Sequence, residues 1–243
     1  MKRWFAKYAI WIAATILVCT LALAEFRLGN PSLKDVLGWV GALVSTFVGA
    51  ALAFIFNAIR TDREREDKEC IAGNLALVTL VEFLDRLLQY EHTYIKPVEG
   101  KKDAWFAVRP GDLINIELKI DKNSLAFLLV NYAMTWRAVV LEEMRFSVLT
   151  DVIKRRNKLM NENVWPKLEA EGIAHGASIE TAKVEEILGP ATTQELKSLT
   201  QFIVETCGHD INSITTCIAN LRNVLLELYP DKEFVRTPKR LSR

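Results

Sequence analysis

Arg86 and His92 are the two residues whose types and spacing could do chemistry together. Five residues separate them, near the predicted end of a helix. A guanidinium can hold a phosphate group, and an imidazole can move a proton near neutral pH. Leu87, directly after the arginine, offers no further polar group. We therefore treat the pair as a weak catalytic candidate and expect both side chains to be structural or solvated.

Other signatures of catalysis or cofactor binding are missing from the sequence. It contains no GxxxxGK[ST], GxGxxG, HExxH, GxSxG or CxxC motif. The cysteines and histidines follow no zinc-ligand spacing, so we expect no metal, no cofactor, and buried, reduced thiols. These residues are Cys19, Cys70, Cys207, Cys217, His92, His175 and His209.

Two pairs of adjacent carboxylates, Glu142-Glu143 and Glu185-Glu186, lie in amphipathic patterns. Adjacent residues of a helix point to different faces, so we expect solvated charges rather than an acid and base pair.

Charge is balanced along the chain, whereas hydrophobicity is not. The 31 basic and 30 acidic residues leave a formal charge of +1, so no global field would recruit nucleic acid. The first sixty residues are almost free of charge, and the rest have an ordinary charged composition. This shift predicts a membrane segment over residues 1–59, a helical domain over 60–230 and a basic tail over 231–243.

Two apolar runs, about 4–24 and 36–59, predict a transmembrane hairpin. The second run holds twenty-four uncharged residues, about 36 Å of helix against a hydrocarbon core of about 30 Å. A cleaved signal peptide is the alternative for the first run, because Lys2 and Arg3 precede it and Ala22-Leu23-Ala24 resembles a cleavage site. The close second run favours the hairpin.

Basic residues crowd outside the two runs, which predicts that both termini lie in the cytoplasm. The loop between the runs has only Arg27 and Lys34. Before the first run stand Lys2, Arg3 and Lys7, and after the second stand Arg60, Arg63, Arg65 and Lys68.

Small side chains recur every four residues in the second run, at Gly41, Ser45, Gly49 and Ala53. Such a face lets helix backbones approach closely in lipid. This face could pack against small residues of the first run (Ala6, Ala9 and Ala13) or against a second copy of the chain. The two alternatives are not mutually exclusive. No charged residue lies mid-span, so we expect neither a transporter nor a proton relay.

An all-α cytoplasmic domain follows. RTDREREDKE lacks Gly and Pro, which predicts one helix from the second span to Tyr90, with Leu77, Val81, Leu84 and Leu88 on its apolar face. After an irregular connection over 92–112, with Trp105 and Phe106 on the core, INIELKI at 114–120 is predicted as loop or edge strand.

Four further helices are predicted from caps and breakers. The first is capped by Asn123 or Ser124 and runs to Leu149, with Leu125, Leu128, Leu129, Trp136 and Val140 buried. The second covers 151–170 and bends near Pro166, and the third runs from a cap at Ser178 to Leu188, where Gly189-Pro190 stops it.

The last helix opens with a capping box at Thr192 and Glu195. Its inward residues are predicted to be Ile203, Cys207, Ile214, Ile218, Leu221, Leu225 and Leu228.

Basic residues in the tail could meet anionic lipid or remain solvated. They are Arg236, Lys239, Arg240 and Arg243.

Two resemblances follow from these features. The spacing of Arg86 and His92 is similar to the Arg-x(4–6)-His spacing of helical HEPN ribonucleases, although Leu87 stands where that family has a polar residue. The layout of an N-terminal two-helix anchor, a charged continuous helix and a helical module resembles the two-transmembrane effectors of bacterial antiviral defence, including the SLATT class. That resemblance implies an inner-membrane effector that oligomerises and perforates or depolarises the membrane when a sensor partner signals.

The sequence thus favours a non-enzymatic membrane effector or signalling subunit with the bilayer, a second copy and a cytoplasmic protein as partners. A structural membrane adaptor and a membrane-bound HEPN-like ribonuclease are the alternatives.

Overall fold

A computed structural model describes residues 20, 33–101, 103–113, 119–174 and 179–235. The protein is 82% helical, and the described residues include no strand, which confirms the all-α class. Several predictions lie outside these residues: the first span apart from Thr20, most of the 114–120 segment, the cap at Ser178 and the tail from Arg236.

The chain divides into two compact units, Met1–Glu66 and Asp67–Arg243. Helix α1 (Leu33–Tyr90) begins in the first unit and ends in the second, so the predicted continuity of the second span with the next helix is confirmed. Within the charged stretch of the first unit, Arg60 Nε donates a hydrogen bond of 2.7 Å to Glu64 Oε1, one turn on.

Two long and three short α-helices follow α1 within the described residues. A π-helical turn (Glu91–Ile95) and a 3₁₀ turn (Lys96–Val98) lead from α1 to α2 (Ala104–Ala107). A 3₁₀ turn (Ala126–Leu129) then precedes α3 (Ala133–Leu159), which continues through a π-helical turn (Met160–Val164) into α4 (Trp165–Ala170). The last two helices are α5 (Thr181–Leu188) and α6 (Pro190–Leu228).

The main core of the second unit lies between α1, α3 and α6. Phe83 of α1 and Phe146 of α3 stack with ring centroids 4.2 Å apart. Gly73 of α1 lies against Leu225 of α6. The predicted inward row of α6 is confirmed, because every member is buried except Leu228, which is half-buried at the core's edge.

A second, smaller core joins α2 to the ends of α3, α4, α5 and α6. Trp105 is buried there and Phe106 packs against the cluster, as predicted. The buried members are Trp105, Leu159, Met160, Val164, Leu168, Val184, Leu188 and Leu196.

The predicted helices 123–149 and 151–170 are wrong in their bounds. Asp121 accepts hydrogen bonds from the backbone N–H groups of Asn123 and Ser124, so the local polar contacts make a turn there, and α3 starts only at Ala133. The helix does not break after Leu149: α3 continues to Leu159, and the Thr150 hydroxyl is accommodated by a hydrogen bond to Phe146 O of the same helix.

The structure also tests two local predictions near these helices, the burial of Leu129 and the bend near Pro166. Leu129 is 46% exposed and not buried, since it lies in the 3₁₀ turn instead of on the α3 core face. At the predicted bend near Pro166, the structure has the π-helical turn Met160–Val164 just before the proline, which has no backbone N–H to donate to that turn.

The capping box at Thr192 and Glu195 is wrong. Gly189 has φ +75° and stands as N-cap, and Pro190, whose φ is fixed near the helical value, opens α6 three residues earlier than predicted. Glu195 pairs with Arg155 of α3 instead, at 2.6 Å.

Candidate functional site

The apolar half of α1 is an exposed surface. Every large hydrophobic side chain from Leu43 to Ile59 is exposed, and Phe54 is 77% exposed. Later in the same helix, Leu77 is fully buried in the core of the second unit. Among the described residues this is one helix long and apolar enough to cross a membrane, and none of its apolar window is buried. Length, composition and exposure support membrane association by this segment.

The small-residue face lies on this exposed surface. Gly41, Ser45, Gly49 and Ala53 are all exposed, and a Cβ added at Gly41 or Gly49 would meet no atom of the described residues within 4 Å. Ser45 and Thr46 turn their hydroxyls back to the carbonyls of Gly41 and Ala42, so neither needs water. No described residue therefore covers this face, and the alternative partners Ala6, Ala9 and Ala13 lie outside the described residues.

The basic residues after the span sit among acidic ones. Arg60, Arg63, Arg65 and Lys68 are all exposed. Asp62, Glu64, Glu66 and Asp67 interleave with them, so the stretch 60–68 has no net charge. Any strong attraction to an anionic surface must therefore come from elsewhere in the chain.

Arg86 and His92 occupy different environments. Arg86 is half-buried on α1, while His92 is exposed in the π-helical turn that follows. Neither lines the cavity described below.

An apolar cavity of about 560 Å³ opens beside α2 and α4. Its polar side chains are Arg109 and Asn161, and aromatic rings from Phe106 and Trp165 form part of its wall. The remaining lining residues are Ala107, Val108, Pro110, Met160, Ile173, Ala174 and Ile179.

Sequence reasoning missed a buried arginine. Arg156 of α3 is 0% exposed; its Nε donates to Thr200 Oγ1 at 2.7 Å and its Nη2 to the carbonyls of Val108 (2.7 Å) and Trp105 (3.3 Å). Burial lowers the pKa of Arg156 to about 10. Arg156 follows Leu149 and Ile153 and precedes Met160 at helical spacing, and this position on an apolar face is the feature of the sequence that could have predicted its burial. The contacts show that it fastens the 104–113 connection to α3 and α6.

Tyr90 and Asn157 extend this buried polar region. Burial raises the pKa of Tyr90 to about 12, and the nearby Arg156 guanidinium opposes that rise. Asn157 Nδ2 donates to Gly111 O and to Asp112 Oδ1, both at 2.9 Å. The two hydrogen bonds of Asn157 hold the irregular connection against α3, so this side chain has a structural role.

The prediction of solvated carboxylates is wrong for Glu142. This residue is 3% exposed, and its Oε1 accepts hydrogen bonds from Arg145 (2.9 Å) and Ser213 (2.6 Å). Ser213 lies on α6, so the sequence pattern of α3 alone could not predict this contact. The hydrogen bond from the Ser213 hydroxyl offsets part of the cost of burying the Glu142 carboxylate. Glu143 is half-buried and pairs with Lys122 at 2.8 Å.

The thiols match expectation where they can be described. Cys70, Cys207 and Cys217 are buried. Burial raises the pKa values of Cys207 and Cys217 to about 12, so both stay protonated at neutral pH. In the part of the chain that the structure describes, no group of three or more His, Cys, Asp or Glu could hold a metal ion.

A stripe on α3 is a further exposed apolar surface. Met134 is 75% exposed, and Leu141, Met144 and Val148 recur on the same helix face at three- and four-residue steps. Exposed apolar patches of this kind mark interaction surfaces.

No family model, curated protein or solved structure matches this chain. The class that the fold and the site define is therefore an all-α protein with one described candidate membrane-spanning helix.

Proposed function

We propose that this protein is a membrane-anchored, non-enzymatic effector or signalling subunit of the bacterial inner membrane. A two-helix hairpin anchors it with both termini in the cytoplasm. Its spans assemble with those of other copies, and the assembly permeabilises the membrane when a cytoplasmic protein partner signals. This is the function expected from its resemblance to the SLATT-like defence effectors.

One observation carries the proposal: α1 changes along its length from a fully exposed apolar helix to a core helix. The exposed length, Leu43 to Ile59, would be a severe liability in water. In lipid it needs no cover, and an α-helix satisfies its own backbone hydrogen bonds there. The buried part of α1 then makes the membrane anchor an integral element of the cytoplasmic domain.

Assembly is supported by the open small-residue face. Lipid supplies no hydrophobic force between helices, so close backbone approach and dispersion must hold spans together. Gly41, Ser45, Gly49 and Ala53 allow that approach, and no atom of the described part of the chain lies within 4 Å of the two glycines' Cβ positions to prevent it. The exposed apolar stripe on α3 supports a cytoplasmic partner, because a partner that covers it removes apolar surface from water.

The test is to express the full chain and its Gly49→Leu variant in a bacterial host and to measure crosslinked oligomers and membrane potential. Leucine holds the backbones apart yet keeps the span apolar, so oligomers and depolarisation should both fall while the protein stays in the membrane fraction. Ala51→Leu, about 200° around the helix from Gly49, is the matched control and should retain both.

Other results would change the proposal. If Gly41→Leu, Gly49→Leu protein stays abundant, oligomeric and equally active, the small-residue face has no role in assembly. If the unaltered chain never depolarises the membrane, a structural adaptor becomes the better function. If His92→Ala abolishes activity in folded, inserted protein, the ribonuclease alternative takes first place.

A further inference from the structure

The cavity beside α2 and α4 lies within the second unit, and its lining is almost entirely apolar. Nine of its eleven lining residues are aliphatic, aromatic or methionine, the two polar ones are Arg109 and Asn161, and none is acidic. Its volume of about 560 Å³ falls in the range of about 300–1,000 Å³ that small-molecule sites occupy. This composition fits a small molecule with an apolar body and one anionic group.

Arg109 supplies the positive charge of the cavity. Its side chain is exposed, and no described residue forms a hydrogen bond or an ion pair with its guanidinium. The planar guanidinium matches the two oxygens of a carboxylate with two parallel N–H donors. Asn161 is also exposed, and its amide can both donate and accept a hydrogen bond. An arginine on a flat surface would simply be solvated, whereas this one borders an apolar hollow.

The connection that forms one wall of the cavity is held at both ends. Arg156 Nη2 donates a hydrogen bond of 3.3 Å to Trp105 O, and Asn157 Nδ2 donates one of 2.9 Å to Gly111 O. Between these two anchors, the stretch 106–110 contributes five lining residues. A wall that is already fixed loses little conformational entropy when a ligand binds, so more of the contact energy remains as affinity.

A second wall comes from the π-helical turn Met160–Val164 and the start of α4. Met160 is fully buried, and the Trp165 ring lies with its centroid 5.8 Å from that of Phe106. A π-helical turn breaks the regular hydrogen-bond ladder, and such turns occur frequently at functional sites. The two rings and the methionine give the cavity flat and adaptable apolar surface, which suits an aromatic body.

We propose that this cavity binds a small aromatic carboxylate, with the carboxylate paired to Arg109 and the ring packed against Phe106 and Trp165. The negative charge is required because the cavity has one cationic and no acidic lining residue. The aromatic body follows from the two rings in the wall. This goes beyond the proposed function, because it needs neither assembly of the spans nor permeabilisation, and adds a small-molecule site to the second unit.

The test uses the purified full chain in a neutral detergent and a photoreactive aryl acid, a trifluoromethyl-diazirinyl benzoate. The neutral primary amide of the same compound is the matched control ligand. Irradiation followed by peptide mass spectrometry locates the label, and its dependence on concentration gives an apparent Kd. The acid should label 106–110 or 160–165 saturably. The amide should bind about tenfold more weakly, because it lacks the charge that pairs with the guanidinium.

Two variants separate the charge from the apolar space. Arg109→Gln should weaken binding of the acid about tenfold and leave binding of the amide unchanged. Arg137→Gln is the matched control, because Arg137 is exposed on α3 and does not line the cavity, and it should change neither. Ala107→Phe places a ring in the cavity and should abolish saturable labelling by both compounds. Circular dichroism checks its fold, and Arg109→Gln, at an exposed position, decides the outcome if that variant misfolds.

No saturable labelling at up to about 1 mM acid overturns the proposal, as does label confined to the apolar part of α1. Equal binding of acid and amide, or an Arg109→Gln variant that binds the acid like the unaltered chain, also overturns it. If only a chain with His175, Ala177 and Ser178 changed to Gly binds the acid, the chain's own residues 175–178 and not a ligand fill the cavity, which overturns it too.

Discussion

Gly73 of α1 lies so close to Leu225 of α6 that a Cβ added to the glycine would approach Leu225 Cδ2 to 2.6 Å. Leu225 is fully buried, so it has little room to withdraw. The absence of a side chain at Gly73 therefore sets how closely the two helices pack.

Replacing Gly73 with Val should destabilise the protein by about 1–3 kcal/mol, because a buried core that is already filled must distort to accept the added carbons. The thermal unfolding midpoint of the detergent-solubilised chain, followed by tryptophan fluorescence, measures this. Leu225→Ala in the same chain empties the colliding volume, so the double variant should lose less than the sum of the two single losses. Strict additivity would show that the contact does not limit the packing.

Replacing Arg156 with Ala should cost about 2–4 kcal/mol of the free energy of unfolding, since the carbonyls of Trp105 and Val108 lose a buried charged donor. Denaturant titration measures the loss. The neighbouring Arg155 is the matched control: its exposed pair with Glu195 should contribute about 0–1 kcal/mol. Equal losses at the two positions would contradict the role of Arg156 in fastening the connection.

Stability should fall as the pH rises from about 9 to about 12. The thiols of Cys207 and Cys217 ionise near 9 when unfolded and near 12 when folded, so in this window the unfolded state binds fewer protons. Each thiol therefore lowers the stability by at most about 1.4 kcal/mol per pH unit. Tyr90 acts in the same direction above about 10, whereas Arg156, whose pKa is lowered, opposes it.

The check is unfolding of the Cys207→Ala, Cys217→Ala variant across that pH range. Its stability at neutral pH will be lower, but its decline between pH 9 and 10 should be flatter than that of the unaltered chain. A parallel decline would show that other groups control alkaline unfolding.

A reporter fused after Arg243 tests the predicted orientation. Basic residues flank the two apolar runs and are scarce between them, so the fusion point should be cytoplasmic. Alkaline phosphatase, which is active only in the periplasm, should then be inactive, and a cytoplasm-active fluorescent protein should glow. The reverse pattern would place the helical domain outside the cytoplasm and would remove the proposed cytoplasmic partner.

Local patterns in the sequence were enough to predict much of the fold. The helical class, the continuity of α1 and the inward row of α6 all follow from periodicity and from the positions of Gly and Pro. The exposed apolar length up to Ile59 was predictable for the same reason, because an uncharged run is a property of consecutive residues.

The tertiary structure decided what depends on residues far apart in the chain. Glu142 is buried because Ser213, on another helix, meets it, and Arg156 is buried because Thr200 and two carbonyls of the connection satisfy it. The hydrogen bond from Val235 N to Asn74 Oδ1 joins residues 161 positions apart in the chain. Periodicity assigns a residue to a helix face, but whether a polar group on that face is buried depends on whether packing brings it a hydrogen-bonding partner.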